Sequence, residues 1–372
     1  MRGRRLCSVR YVAGRIVLFG ATGYTGELTA RALVARGAMP VLAARSQARV
    51  EALAAELGGL DFAVADVERP ATVRALVQAG DVLVSTVGPF VRWGDPALRA
   101  AIDARAHYLD STGEPPFIRA VFERHGASAA AAGVGLLTAF GYDYVPGNLA
   151  GALALREAGE RAVSVDVGYF VGGAAQPSGG TRASAVGLLA EPAYVFAGGR
   201  IVTQRTARSV HSFDGRPAVS VGATEQFALA RGHPGLRDAR VWLGWFGSAA
   251  RPLQAVSAAT ALATKLPGVR GAIGSVAGRF VKGSTGGPDA ATRARARSQI
   301  VAVASDAAGA RLSTVRLEGD NPYDFTGAML AWGAMQAAGG GLRGSGALGP
   351  VDAFGLAELQ AGVADAGIAR HV

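Results

Sequence analysis

Three glycines, Gly20, Gly23 and Gly26, stand at three-residue intervals in Gly20-Ala21-Thr22-Gly23-Tyr24-Thr25-Gly26. A dinucleotide pyrophosphate needs backbone that turns tightly, approaches closely and presents N–H groups. Gly20 suits the turn, Gly23 the approach and Gly26 the packing of helix on strand. Thr22, Tyr24 and Thr25 lie where amides and the positive end of a helix dipole hold phosphates. The spacing is GxxGxxG, so the turn should be one residue longer than in GxGxxG. An ordinary glycine turn is the alternative. Arg45-Ser46 lies 19 residues beyond Gly26. A carboxylate at that place would hold a ribose 2′-hydroxyl and repel a 2′-phosphate, whereas a guanidinium grips the phosphate. Arg45, helped by the Ser46 hydroxyl, therefore predicts NADP(H) over NAD(H). Asp66 could meet the adenine edge or close a turn. Thr86-Val87-Gly88-Pro89 is expected beside the nicotinamide, with Gly88 allowing close approach of backbone.

Acid–base groups concentrate in His107-Tyr108-Leu109-Asp110-Ser111-Thr112-Gly113-Glu114 and in Gly141-Tyr142-Asp143-Tyr144. Hydride transfer to a polarised double bond leaves an anion, which needs a proton and nearby donors. Tyr108, Asp110 and Tyr144 are the catalytic candidates. Each has a plainer alternative: Tyr108 as core, Asp110 as a turn cap, and Glu114 as an acceptor for loop amides. No metal site is expected, because the five histidines lack ligand spacing and Cys7 is the single cysteine. No GxSxG elbow is present, which argues against a serine hydrolase.

The elements that must position these residues alternate. Apolar runs at Ile16–Phe19, Pro40–Ala44, Asp61–Asp66, Asp81–Val87, His107–Asp110 and Val134–Phe140 read as strands. Helical patterns lie between them. This is the pattern of a Rossmann-type, doubly wound parallel sheet, with its ligand outside the carboxyl ends of the strands. Near Gly147 the rhythm stops. Strands are expected at Arg161–Val171, Ile201–Thr206, Pro217–Val221, Thr224–Leu229 and Val241–Phe246. Ser248–Leu266 should be helical and Leu266–Val281 partly so. A hairpin is expected from Arg293–Ser305 and Ala310–Glu318, turning at Ala307-Ala308-Gly309. Arg293, Arg295 and Arg297 would then share one strand face. Ser178-Gly179-Gly180-Thr181 could be a second anion-accepting helix start or a loop. Asn321-Pro322-Tyr323 opens a helix to Ala338, and Val351–Ala364 is a last helix. The expected organisation is a nucleotide domain over 14–146, an α+β domain over 147–320, and C-terminal helices over 321–372 that pack back on the first domain.

The chain has 372 residues and a net charge of +10, with a mean hydropathy of +0.24. Nearly all positive charge is arginine, since Lys265 and Lys282 are the two lysines. This reads as compositional bias and not as a nucleic-acid patch. No apolar run approaches the ~18 residues of a spanning helix. The start reads as a loose basic extension, Met1 to Ala13, and not as a signal peptide. The expected home is the cytoplasm, with a membrane-peripheral location left open.

Four motifs, GATGYTG at Gly20–Gly26, STVGPFVRWG at Ser85–Gly94, HYLDSTGE at His107–Glu114 and GYDYVPGNLA at Gly141–Ala150, occur in this order. With them the chain resembles the saccharopine dehydrogenase-like superfamily of NADP-binding oxidoreductases, including the trans-acting enoyl reductases of bacterial lipid synthesis. The resemblance implies NADP(H) along the first two motifs and a small-molecule substrate in a cleft between two domains. It points to reduction of a C=C bond in an apolar or carrier-bound acyl substrate, such as a thioester. Tyr169, Phe170, Trp242, Trp245 and Phe246 of the second half suit an apolar chain. A saccharopine-type amino-acid dehydrogenase and a non-catalytic NADP-binding regulator are the alternatives. A homodimer is compatible with each reading.

Overall fold

The computed structural model describes residues 14–173, 191–263 and 286–371. The readings made for Met1 to Ala13, for Ser178 to Thr181 and for Leu266 to Val281 lie outside them. Among the described residues no helix is long and apolar enough to cross a membrane.

The first half folds as its periodicity predicts. Strands β1 (Ile16–Phe19), β2 (Val41–Ala44), β3 (Phe62–Val64), β4 (Val82–Ser85), β5 (His107–Asp110) and β6 (Gly135–Leu137) form a parallel sheet in the order β6-β5-β4-β1-β2-β3. All four residues of β1 and of β4 are buried. Burial on both faces is why these strands are continuous apolar runs. Helix α1 (Tyr24–Ala35) follows β1, and α2 (Gln47–Glu56) follows β2. Part of the C-terminal region returns to this domain, while Leu356–Asp365 packs on the helix Val145–Ala158 and Ile368–Arg370 joins the second sheet. The helix Pro322–Ala338 packs on α1, β4 and β5. Asn321 caps it by accepting from the Tyr323 and Asp324 amides at 3.0 Å each. A two-residue strand near the C-terminus, Gly346–Ala347, pairs in parallel with β6 as the seventh strand.

The second sheet is mixed. It contains β7 (Ser164–Gly172), β8 (Pro192–Ala197), β9 (Arg200–Arg205), β10 (Val210–Phe213), β11 (Arg216–Val221), β12 (Asp238–Leu243), β13 (Arg297–Ser305) and β14 (Arg311–Gly319). With Gly346–Ala347 as β15, the last strand is β16 (Ile368–Arg370), which pairs with β14. The main order is β10-β11-β12-β7-β13-β14-β16, with β8 and β9 attached beside β12. The helix Val145–Ala158 lies against β7, β13 and β14.

Several expectations for this half are corrected. Thr224–Leu229 is not a strand: Glu225–Leu229 lies in the helix Glu225–Gly232, with Thr224 as its N-cap residue. Its buried set is Glu225, Gln226, Ala228 and Leu229, so two polar side chains face inward and disguise a helical stripe. Arg293 and Arg295 belong to a short helix, Ala290–Arg295, which Asp289 caps through the Thr292 amide at 2.7 Å. They do not share a strand face with Arg297. The final helix is broken at Gly355 into Pro350–Phe354 and Leu356–Asp365. The aromatic set also divides. Along β7, Val165, Val167 and Tyr169 enter the large core, whereas Phe170 turns to the other face with Phe213 and Trp242. Trp245 and Phe246, at 37% and 41% exposure, are the two that remain accessible.

Candidate active site at the carboxyl edge of the nucleotide sheet

The glycine turn is built by close contacts. Gly20 leaves β1 with φ +91°, where side chains with a Cβ are strained. A Cβ there would also lie 2.6 Å from the Thr86 hydroxyl. Gly26 approaches the same turn from α1, and a Cβ on it would fall 2.1 Å from the Gly20 carbonyl oxygen. The Gly23 amide donates to the Gly20 carbonyl at 2.9 Å. Gly23 is also the N-cap residue of α1, and no side chain caps the helix. A backbone cradle against an uncapped helix start fits a dinucleotide pyrophosphate. Thr22, Tyr24 and Thr25 are half-buried around it.

The far strands supply the other groups. Arg45 and Ser46 are exposed where β2 ends. Ser46 is the N-cap residue of α2, yet its hydroxyl makes no capping bond. Both groups can therefore face an anion. Arg49, one turn into α2, donates to the Thr22 carbonyl at 2.8 Å and ties this helix to the glycine turn. Asp66 is occupied locally: its carboxylate accepts from the Glu68 amide at 3.1 Å, and the Thr72 hydroxyl receives the Asp66 amide at 2.9 Å. That is the turn-closing role.

At the end of β4, the Thr86 hydroxyl donates to the Gly20 carbonyl at 3.1 Å, locking this loop to the glycine turn. Val87, Gly88 and Pro89 follow, with a cis Gly88–Pro89 peptide. The next amides, of Phe90 and Val91, each donate to the Glu114 carboxylate at 2.9 Å. Glu114 thus holds the loop by its backbone. Asp110 ends β5 fully buried, and one carboxylate oxygen accepts from the Thr112 and Ala139 amides at 2.9 Å each. The hydroxyls of Tyr108 and Thr138 approach this carboxyl, but Oδ2 completes no regular hydrogen bond. Burial pushes Asp110 up to about 6. Tyr108 is enclosed in the core of the nucleotide domain, so its hydroxyl meets Asp110 and not solvent.

The third group of residues forms where the two domains meet. The Tyr144 amide donates to the Ala139 carbonyl at 2.7 Å, which links the Gly141–Tyr144 turn to Asp110. Asp143 packs its carboxyl over Gly113, close enough that a Cβ there would lie 2.8 Å from Oδ2. Its Oδ1 is enclosed without a partner, and burial raises the group to about 7. The Tyr144 ring meets Tyr169 edge-on at 5.6 Å. The Tyr169 hydroxyl lies 2.6 Å from Glu225 Oε1. Glu225 is fully buried and raised to about 8, chiefly by that burial. Tyr142 stacks on the half-exposed Trp245 at 6.4 Å.

A second contact crosses between the domains at Tyr24. Its hydroxyl donates to the Pro288 carbonyl at 2.6 Å. Arg293 reaches that hydroxyl at 3.1 Å and holds Asp324 at 2.7 Å. The structure therefore gathers Asp110, Asp143 and Tyr144 beyond the carboxyl end of β5, with Tyr144 itself 2% exposed in the large core, and leaves Tyr108 inside the nucleotide domain. Glu225 is missed by sequence reasoning, whereas Tyr169 and Arg293 are read there only as a pocket aromatic and a strand-face arginine. For Glu225 a signal existed, since it is the one ionisable residue between Arg216 and Arg231.

An open parallel sheet with a glycine turn, joined to a mixed sheet, defines a two-domain dinucleotide-binding fold. Residues 16–137 match the family model of the saccharopine dehydrogenase NADP binding domain, which supports NADP(H) as the cofactor of this segment. Over 140 residues the chain is 39% identical to the trans-acting enoyl reductase of Mycobacterium leprae and 38% identical to that of Mycobacterium ulcerans. Each match covers 36% of this chain and 34% of the relative. The matched stretch thus spans about a third of the length of these curated relatives. The fold extends further than the sequence likeness. Apo saccharopine dehydrogenase (L-Glu forming) from Saccharomyces cerevisiae superposes with a TM-score of 0.57 at 13% identity, over 96% of this chain and 99% of that one. Both domains therefore share that architecture.

Proposed function

We propose that the protein is an NADPH-dependent reductase acting on a carbon–carbon double bond of an apolar, carrier-bound acyl group. One observation supports this most. The groups meeting at the domain junction are acids and phenols, namely Asp143, Tyr144, Tyr169 and Glu225, with the exposed Trp245 stacked on Tyr142 beside them. A multiply charged amino-acid substrate would call for converging basic groups instead.

Gly20, Thr22, Gly23, Tyr24, Thr25 and Gly26 would hold the pyrophosphate, Arg45 and Ser46 the 2′-phosphate, and Thr86 to Pro89 the nicotinamide end. NADPH, when bound, supplies the hydride. The rest falls to the chain. Asp143, raised to about 7, retains a proton through much of the neutral range, and its unpaired Oδ1 is where that proton can be held. Tyr144 stands on the same turn and offers a phenol to developing negative charge. Asp110 acts one step back, keeping this turn in place through the Ala139 amide. Trp245 and Phe246 offer apolar surface to an acyl chain. A cytoplasmic location accompanies this reading.

The test is NADPH oxidation with a panel of enoyl thioesters, ketones and imino acids, with products identified by mass. Saturation of the enoyl thioester is expected. Reduction of an imino acid alone would replace the reading with an amino-acid dehydrogenase. NADPH binding without turnover of any class would leave a regulatory nucleotide-binding protein.

A further inference from the structure

The loop that leaves β5, from Asp110 to Glu114, is bound to itself by two side chains. Asp110 Oδ1 accepts from the Thr112 amide at 2.9 Å, and the Thr112 hydroxyl oxygen accepts from the Glu114 amide at 3.1 Å. Both are the local side-chain-to-backbone bonds that Asp and Thr form in turns. Asp110 and Thr112 are wholly buried, and Glu114 is 5% exposed. The loop therefore carries one buried acid at each end.

The two acids hold different segments of the site. Asp110 Oδ1 also accepts from the Ala139 amide at 2.9 Å, and the Ala139 carbonyl accepts from the Tyr144 amide at 2.7 Å. Between the acids, Gly113 lies against the Asp143 carboxyl, where a Cβ would stand 2.8 Å from Oδ2. At the far end the Glu114 oxygens are divided between consecutive amides, Oε1 to Phe90 and Oε2 to Val91, each at 2.9 Å. The Phe90 ring packs against Gly88, where a Cβ would lie 3.3 Å from it. Thr86 fastens the start of the same segment to the Gly20 carbonyl at 3.1 Å. Residues 86–91 are thus pinned to the glycine turn at one end and to Glu114 at the other. Amides only donate, so those of Phe90 and Val91 need two acceptors side by side. A carboxylate supplies both; a carboxamide supplies one and turns a donor toward the second amide. Glu114 is also the N-cap residue of the helix Pro115–Ala120, yet its side chain makes no capping bond there. Its carboxylate serves the neighbouring loop and not its own helix.

We propose that Glu114 is a positioning residue for the nicotinamide end of the cofactor, keeping residues 86–91 in register with the Asp143–Tyr144 turn. The loop Asp110–Glu114 is the brace between them, since it holds one segment through each of its acids. Arg45 and Ser46 stand at the end of β2, three strands from β5, so the adenosine half of the cofactor lies outside the brace. The inference rests on the nicotinamide placement and, for turnover, on the reductase reading.

The test compares NADPH with 2′,5′-ADP, which carries the 2′-phosphate but no nicotinamide. In Glu114→Gln, NADPH should bind about tenfold more weakly, the effect of one amide left without its acceptor, while 2′,5′-ADP binds as in the wild type. Equal losses for both ligands, or no loss for either, would overturn the proposal. A wild type that binds 2′,5′-ADP as tightly as NADPH would take the nicotinamide away from this loop, and the proposal with it. Hydrogen exchange on the wild-type protein needs no variant to fold. The Phe90 and Val91 amides should exchange slowly without cofactor, and exchange at the rate of open loop amides would show that Glu114 does not hold them. Turnover provides the last arm. With an enoyl thioester and saturating NADPH, Glu114→Gln should lower kcat about tenfold, because saturation fills the site without restoring the register. A wild-type kcat in that variant would overturn the positioning role. Absence of turnover in the wild type would count against the reductase reading alone, since the two affinities still decide what Glu114 holds.

Discussion

Replacing Arg45 with alanine should separate the two nicotinamide dinucleotides. They differ by a 2′-phosphate, and Arg45 stands at the end of β2 where that phosphate belongs in this fold. A hydrogen bond to a charged group contributes about 1.5–3 kcal/mol. Arg45 is exposed, so solvent screening favours the lower end, about 1.5 kcal/mol. At 1.4 kcal/mol per decade this is about a tenfold loss of NADPH affinity. NADH should lose nothing, because it has no group for Arg45 to hold. Fluorescence titration of both cofactors, at low and at high salt, measures the difference. The NADPH preference should shrink with salt in the wild type and be nearly flat in Arg45→Ala. Equal losses for NADPH and NADH would refute the assignment, because the defect would then lie in the fold and not in phosphate recognition. A selective loss in Arg49→Ala but not in Arg45→Ala would move the phosphate one turn into α2.

Three further outcomes follow from the same geometry. Gly26→Ala places a methyl 2.1 Å from the Gly20 carbonyl oxygen, so the turn must shift at a cost of about 1–3 kcal/mol. A lower melting temperature and at least about a fivefold weaker NADPH affinity are expected, and an unchanged affinity would show the turn to be remote from the nucleotide. Arg293→Ala removes the ties to Tyr24 and Asp324, and stopped-flow displacement should show faster NADPH release than in the wild type. An unchanged rate would detach the Arg293 contact from the cofactor site. Asp110 is raised from 3.8 to about 6, so the native state keeps a proton that the unfolded chain has released. Its stabilising share is full below about pH 4 and is lost as pH rises through about 6, amounting to about 3 kcal/mol. Urea unfolding of Asp110→Asn between those pH values should show a flatter profile than the wild type, and parallel profiles would contradict the assignment.

Local chemistry made much of the nucleotide half legible. Buried parallel strands are short, apolar on both faces and separated by helices, so β1, β2, β4 and β5 could be read from neighbouring residues alone. The glycine motif was legible because the need for φ > 0 at Gly20 and for close contact at Gly26 leaves few other residue types. The place of Arg45 at the end of β2 was legible because the apolar run before it marks the strand. Asp110 and Tyr144 were legible as residue types but not as roles. Only the tertiary structure decided that Tyr108 lies in the core, that Glu114 holds the Phe90 and Val91 amides, and that Asp66 closes its own turn. Glu225 was hidden for a physical reason. An acid is expected at the surface unless partners from distant segments satisfy it, and its partner Tyr169 lies 56 residues away on another strand. Hydrophobic periodicity counts such a residue as polar and outward, which is why Thr224–Leu229 reads as a strand while folding as a helix. Arg293 was misplaced for the same reason, because its partners Tyr24 and Asp324 are distant in sequence. Spacing along the chain determines which backbone can bind a nucleotide; which acids and phenols meet at the domain junction depends on contacts between segments that no local pattern encodes.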